Sequence, residues 1–224
     1  MRSPSVPVRI DLASGISISR PFDRLLNFCT NEYDTYDAVP IPQDNTIGVF
    51  EIVLTTSVNA GLTANTVAEI YRSRRVIEQA LSQIAPNASL LDPDWPRQAV
   101  VDLLDAACSI RGVWLAVATK VLHKKRPGLL PMLDSVVLGH YFGQYRKRYE
   151  RWPATGEVGA TAMDRFRTDL VSVAPQINSL VNALRRNHGY SLTPTRALEI
   201  LVWMRLQTRW YQDAWDEDQP RRVV

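Results

Sequence analysis

Apolar residues recur at steps of three and four along most of the chain, the period of helices with one buried face. Phe22, Leu25, Leu26 and Cys29 place a first helix over residues 20 to 30, followed by an acidic, tyrosine-bearing segment and a loop over 40 to 45. Thr46 reads as the N-cap of a helix running to Asn59, with Phe50, Val53, Leu54 and Ser57 on one face and Ala60-Gly61 ending it. Thr63 opens the next helix, where Val67, Ile70, Tyr71, Ile77, Leu81 and Ile84 form a stripe and Arg72, Arg74, Arg75 and Glu78 lie outside it. Pro86 stops that helix, and Asp94-Trp95-Pro96 starts another whose inward face is Val100, Leu104, Ala107 and Cys108. A glycine turn and a helix fill 110 to 125, and a basic helix with Val137, Tyr141, Tyr145 and Tyr149 fills 134 to 151. Residues 155 to 161 read as a linker, 163 to 173 and 177 to 188 as helices parted at Pro175, and Gly189 as a helix end. Thr193-Pro194 then opens a last helix with a seam of Ala197, Leu201, Met204, Thr208, Tyr211 and Trp215. Residues 1 to 18 alternate at Val6, Val8, Ile10 and Leu12, as an extended arm or short edge strand does. Eight or so helices and little sheet make the expected fold all-α.

Composition narrows the class. With 224 residues, 46% apolar and 22% charged, the chain can bury one core or two small lobes that share a cleft. No apolar run reaches the ~20 residues of a membrane span and the N-terminus lacks a signal-peptide core, so a cytoplasmic protein without a membrane partner is expected. Cys29 and Cys108 are too few for a disulfide framework, and with His123, His140 and His188 scattered there is no metal pattern. Neither a metal nor a cofactor is therefore expected.

Charge changes the picture more. Residues 111 to 151 hold nine Lys or Arg against Asp134 and Glu150, a local net charge of +7, while the rest of the chain holds 17 basic and 21 acidic residues. A local excess of this kind suits a polyanion. At its start, Ile110-Arg111-Gly112-Val113 has the form of a tight turn between two helices. Glycine permits the bend, and the unpaired N–H groups that open the following helix can receive a phosphate. Lys124, Lys125 and Arg126, three adjacent cations before Pro127, are expected to stay at the surface for phosphate contact. Solvated basic faces on two helices are the alternative reading.

These residues resemble the helix-hairpin-helix superfamily of DNA glycosylases, whose hairpin reads Leu-Pro-Gly-Val-Gly-x-Lys-Thr-Ala and whose next helix opens at Val-Asp-Thr-His-Val. With Gly112 on the first hairpin glycine, Val117-Ala118 fall on Thr-Ala and Leu133-Asp134-Ser135-Val136-Val137 on the acidic motif, 18 residues after Ala116. The resemblance covers roughly residues 46 to 145. The stretch from Lys120 to Asp134 is also similar to a family of uncharacterised bacterial proteins. Trp114 replaces the second hairpin glycine and Ala116 the lysine of the strand-cleaving members, so no lyase step is expected from position 116.

The resemblance implies two helical lobes with a cleft between them: a core over 46–151, with 1–45 and 152–224 packing together as the second lobe. It implies a monofunctional, monomeric DNA glycosylase acting on double-stranded DNA, with Asp134 as the catalytic residue. A fixed carboxylate there would stabilise the oxocarbenium-like sugar and orient water. An Asp before Ser-Val-Val is equally suited to cap a helix, and the two roles are compatible. Arg111, Gly112, Val113, Lys120, Lys124, Lys125 and Arg126 are the candidates for the DNA backbone. Base flipping calls for a pocket and an unstacking side chain; Tyr33, Tyr36 and Trp114 are candidates near the base and Asn59 for insertion. The expected target is a damaged base or a bulky modified base of the kind phages carry, the latter implying a defence role. A non-catalytic DNA-binding protein and a helical interaction protein using the C-terminal seam are the rival classes.

Overall fold

The computed structural model describes residues 6–143 and 155–206. Nine α-helices and one two-stranded sheet make up these residues, so the protein is all-α. Strand β1 (Arg9–Asp11) pairs antiparallel with β2 (Ser17–Ser19) in a hairpin whose register sets Ile10 against Ile18. Both isoleucines are buried, so the alternation near the N-terminus marks a hairpin laid on the core rather than a free arm. The helices are α1 (Pro21–Glu32), α2 (Val49–Leu54), α3 (Ala64–Leu81), α4 (Arg97–Cys108), α5 (Leu115–His123), α6 (Ser135–Phe142), α7 (Gly156–Ser172), α8 (Ala174–His188) and α9 (Pro194–Leu206). Among the described residues no helix is long and apolar enough to cross a membrane.

One continuous apolar core runs from the hairpin to α9, and α9 is its axis: Ala197, Leu198, Ile200, Leu201, Val202 and Met204 are all buried. Helix α1 packs on α8 and α9, α3 on α4, and α4 on α7. The α4–α7 contact explains a difference from the sequence expectation. Residues 155–161, read as a linker for their glycines, instead begin α7. A Cβ on Gly156 would lie 2.0 Å from the Val101 carbonyl oxygen, and one on Gly159 would lie 2.5 Å from Leu104 Cδ1. The glycines bring two helices together rather than break one.

Two other boundaries differ. Thr46 does not cap α2; its hydroxyl and N–H turn back to Asp44, and Glu51 Oε2 instead accepts from the Gly48 N–H at 3.0 Å. The helix is short because the Thr55, Thr56 and Ser57 hydroxyls each donate to the carbonyl three residues back, tightening the chain into a 3-10 turn over Thr55–Val58. On α2 the buried residue is Ile52, while Phe50 and Val53 are exposed. Helix α6 stops at Phe142, where Gly143 takes φ +66°. Tyr145, Tyr149 and the remainder of the expected basic helix lie outside the described residues, as do Thr208, Tyr211 and Trp215 of the last seam.

The basic run at the end of α5 departs most from expectation. Lys125 and Arg126 are fully buried, and Lys120 is 7% exposed. Each finds its partners inside. Lys125 Nζ donates to Pro42 O (3.0 Å), Asp44 Oδ1 (2.9 Å) and Glu51 Oε1 (2.9 Å). Arg126 donates to the carbonyls of Leu81 and Ile84, closing the end of α3, and to Asn45 Oδ1 and Asp44 O. Lys120 Nζ reaches Val58 O at 2.6 Å and Asn59 O at 3.3 Å, and Lys124 Nζ reaches Asp37 O at 3.0 Å. Carbonyl groups at helix and loop ends, orphaned by local geometry, have drawn these cations inward. Lys125 and Arg126 are therefore not phosphate contacts. Truncating Arg126 would leave several buried acceptors bare, so Arg126→Leu is expected to lower the unfolding free energy by about 3 kcal/mol or more. Urea denaturation checks it, with Arg72→Ala, an exposed i,i+3 pair with Glu69, expected within about 0.5 kcal/mol of wild type.

Candidate active site

The turn between α4 and α5 has Gly112 at φ +85°, where a side chain would be strained and its Cβ would sit 3.2 Å from Thr66 Oγ1. Arg111 and Gly112 are exposed. Val113 is not: its side chain is in the core and its N–H donates to Ile110 O at 3.0 Å, so it offers no donor to a phosphate. Trp114 is the N-cap of α5, and no N-cap side chain accepts from the first N–H groups of that helix.

From this turn α5 runs inward and presents Ala116 and Lys120, one turn apart, to a pocket of about 370 Å³. Asp134 enters the same pocket from the start of α6, and Glu199, Arg196, Ile200 and Trp203 enter from α9. The Ser57–Asn59 turn forms the rim, with Asn59 in the left-handed region at φ +55° and exposed. Phe28, Met132 and Asp37 add to the wall, and Glu32, Thr35 and Ser135, all exposed, line it as well. This is the size of a small-ligand site, with a lining that mixes apolar side chains and convergent polar groups.

Asp134 does two things at once. Its Oδ1 accepts the N–H groups of Val136 and Val137, both at 2.9 Å, capping α6 as the local sequence predicts. The carboxylate also borders the pocket, where the Trp203 side chain donates to it. Burial pushes its carboxyl above the usual range, against the Val137 N–H and the Lys120 charge. Across the pocket, Arg196 is clamped by Asp37 through two bonds of 2.9 Å and donates from Nη1 to Glu199 Oε2 at 2.5 Å. Burial alone would raise Asp37, but the Arg196 charge and hydrogen bonds hold it low. Glu199 goes the other way: burial pushes it up to about 7 in spite of Arg196. Burial likewise pulls the Lys120 ammonium down, with Asp134 and Glu199 opposing. The pocket thus holds carboxyl groups with divided proton affinities beside one ammonium.

Of the residues expected at a site, the fold brings Asp134, Asn59 and Lys120 to one pocket, and leaves Arg111 and Gly112 on the turn that leads to it. Tyr33 and Tyr36 are not pocket residues. Tyr36 is 1% exposed, with its hydroxyl donated to Lys120 O at 3.0 Å, and Tyr33 OH is engaged with the Ser191 backbone. Trp114 also lies outside the pocket lining. Glu199, Arg196, Asp37 and Trp203 went unread in the sequence. The available signal was an Arg and a Glu three apart on a helix otherwise apolar on every side, a costly arrangement to bury without a task. Among the described residues no group of His, Cys, Asp and Glu is arranged to hold a metal ion.

Fold and pocket together define an all-helical protein with an acid-lined pocket fed by a helix–turn–helix. The chain belongs to a family of unknown function, DUF6308, which matches residues 20–206. Neither a curated protein nor a solved structure matches it.

The raised Glu199 carboxyl has a thermodynamic signature. A proton bound more tightly in the folded than in the unfolded state stabilises the fold fully below about pH 4.5, and that contribution is lost as pH rises through about 7. His123, pulled down to about 4 by burial, works with the opposite sign as pH falls below 6.5, so comparison with a variant isolates the first effect. Glu199→Gln is expected to gain in Tm relative to wild type between pH 5 and pH 8. Calorimetry at both pH values measures it, and a constant difference would contradict the assignment.

Proposed function

We propose that this protein is a DNA glycosylase of the helix-hairpin-helix type, hydrolysing the N-glycosidic bond of a damaged or modified base, with Asp134 as the catalytic carboxylate. The observation that carries the reading is the position of Asp134. It caps a helix start and still borders a pocket of small-ligand size, beside the helix that follows the Gly112 turn. In this reading α4, the turn and α5 are the hairpin that meets the DNA backbone, the two-lobed cleft is the space under the Ser57–Asn59 rim, and the flipped base enters there. Asn59, exposed on that rim in a left-handed conformation, is the residue this reading assigns to the gap left in the duplex.

The chemistry follows from the groups present. As the C1′–N bond lengthens, positive charge grows on the sugar, and a carboxylate held in a low-dielectric pocket lowers that barrier. Two N–H bonds to Oδ1 fix the Asp134 carboxylate in place, so it needs little reorganisation as charge develops. No amine stands at Ala116, and the product in this reading is an abasic site. With Lys125 and Arg126 spent inside the fold, backbone contact falls to Arg111, Gly112 and the first N–H groups of α5.

The test is incubation with duplexes carrying damaged or bulky modified bases, followed by alkali to reveal abasic sites as strand breaks. Wild type is expected to release at least one such base, and Asp134→Asn to do so about 10²- to 10³-fold more slowly. Duplex binding with a steep salt dependence and no release would instead establish a non-catalytic DNA-binding protein. No binding at low salt would end both.

A further inference from the structure

Glu199 is 4% exposed and lines the same pocket as Asp134. Its Oε2 takes the bond from Arg196, and among the described residues no hydrogen bond reaches Oε1. A buried carboxyl with one oxygen clamped and the other facing a pocket is costly unless that oxygen meets something there. The clamp is itself anchored. Arg196 is held by Asp37, and its guanidinium lies 5.4 Å from the Phe28 ring and 5.8 Å from the Tyr36 ring. The result is a rigid line, Asp37 to Arg196 to Glu199, ending in one unengaged oxygen.

We propose that Glu199 is a second catalytic residue, the acid that delivers a proton to the departing base while Asp134 serves the sugar. The assignment rests on the glycosylase reading and extends it. When the C1′–N bond breaks, its electron pair goes to the base nitrogen, which takes the Glu199 proton. Water forms the new C1′–O bond and gives up a proton to Asp134, and return of that proton to Glu199 through solvent restores the starting state. The sum is one water split into a hydroxyl on the sugar and a hydrogen on the base. The two carboxyls suit this division of labour, since Asp134 is pinned by two backbone N–H groups that favour its charged form, while burial pushes the Glu199 carboxyl up to about 7.

The experiment is single-turnover excision of a base that wild type releases, from pH 5 to pH 9, by wild type, Glu199→Gln and Glu199→Asp. Wild type is expected to lose rate on the alkaline side as the donor deprotonates. Glu199→Gln should be about 10²- to 10⁴-fold slower and lack that alkaline limb, and Glu199→Asp should keep the limb at reduced rate. In a series of bases of graded leaving ability, the Gln variant should also depend more steeply on leaving-group basicity. Far-ultraviolet circular dichroism confirms that each variant is folded, and the Asp variant carries the test if the Gln variant is not. Excision by Glu199→Gln within about threefold of wild type, or a slower reaction with the same alkaline limb, overturns the role of Glu199 while leaving the glycosylase reading intact. Absence of excision by wild type on every duplex overturns both.

Discussion

The fold depends on carbonyl groups that cannot be satisfied where they arise. The end of α3, the 42–44 loop and the Val58–Asn59 turn each present acceptors toward the protein interior, and the short basic run of α5 answers all of them. Arg126 alone closes the last turn of α3 and fastens the loop before α2. Buried charge is tolerable here because each ammonium or guanidinium trades water for several oxygens, two of them carboxylates in the case of Lys125. Since α5 also leads away from the Gly112 turn and lines the pocket, the same helix that organises the core sets the geometry of the site.

That arrangement explains what could be read from the sequence. Helix starts with a strong local cause were legible: Thr63, whose hydroxyl accepts the Thr66 N–H, and Asp134, which accepts two. So were stops such as Gly189, because a left-handed residue at a helix end is a one-residue decision. Apart from the start and length of α2, set by the hydroxyls of Thr46 and Thr55 to Ser57, the differences arise where a distant partner decides. Gly156 and Gly159 look like a linker until α4 lies against them, and Lys125 and Arg126 look like surface cations until their partners 42 to 83 residues back are in place. The basic residues of 111 to 143 are concentrated in sequence, but charge alone does not say which way a side chain points.

The candidate site was legible in the same uneven way. Asp134 was accessible because a cap and a carboxylate at a helix start share one pattern. Asp37, Arg196 and Glu199 were not, because their meaning lies in a contact between α9 and a segment 159 residues earlier. A helix buried on every side hides its polar pocket residues, since no polar face stands out against the apolar one. The tyrosines failed for the converse reason: aromatic residues in an acidic segment suggest a ligand surface, yet Tyr36 is a core residue with its hydroxyl spent on a helix carbonyl.

The two sides of the pocket are held by unequal means. Its floor rests on Arg196, fixed by a bidentate carboxylate, a second carboxylate and the Met132 sulfur, all deep in the core. The Ser57–Asn59 rim is tied to α5 by the ammonium of Lys120 on two carbonyls, and its outermost residue already sits in a conformation few side chains adopt. The floor is thus held by a network of buried charges and the rim by one ammonium and a strained backbone. A change at the entrance would therefore alter what the pocket admits, whereas a change at the floor would unsettle a buried charge network and the core around it.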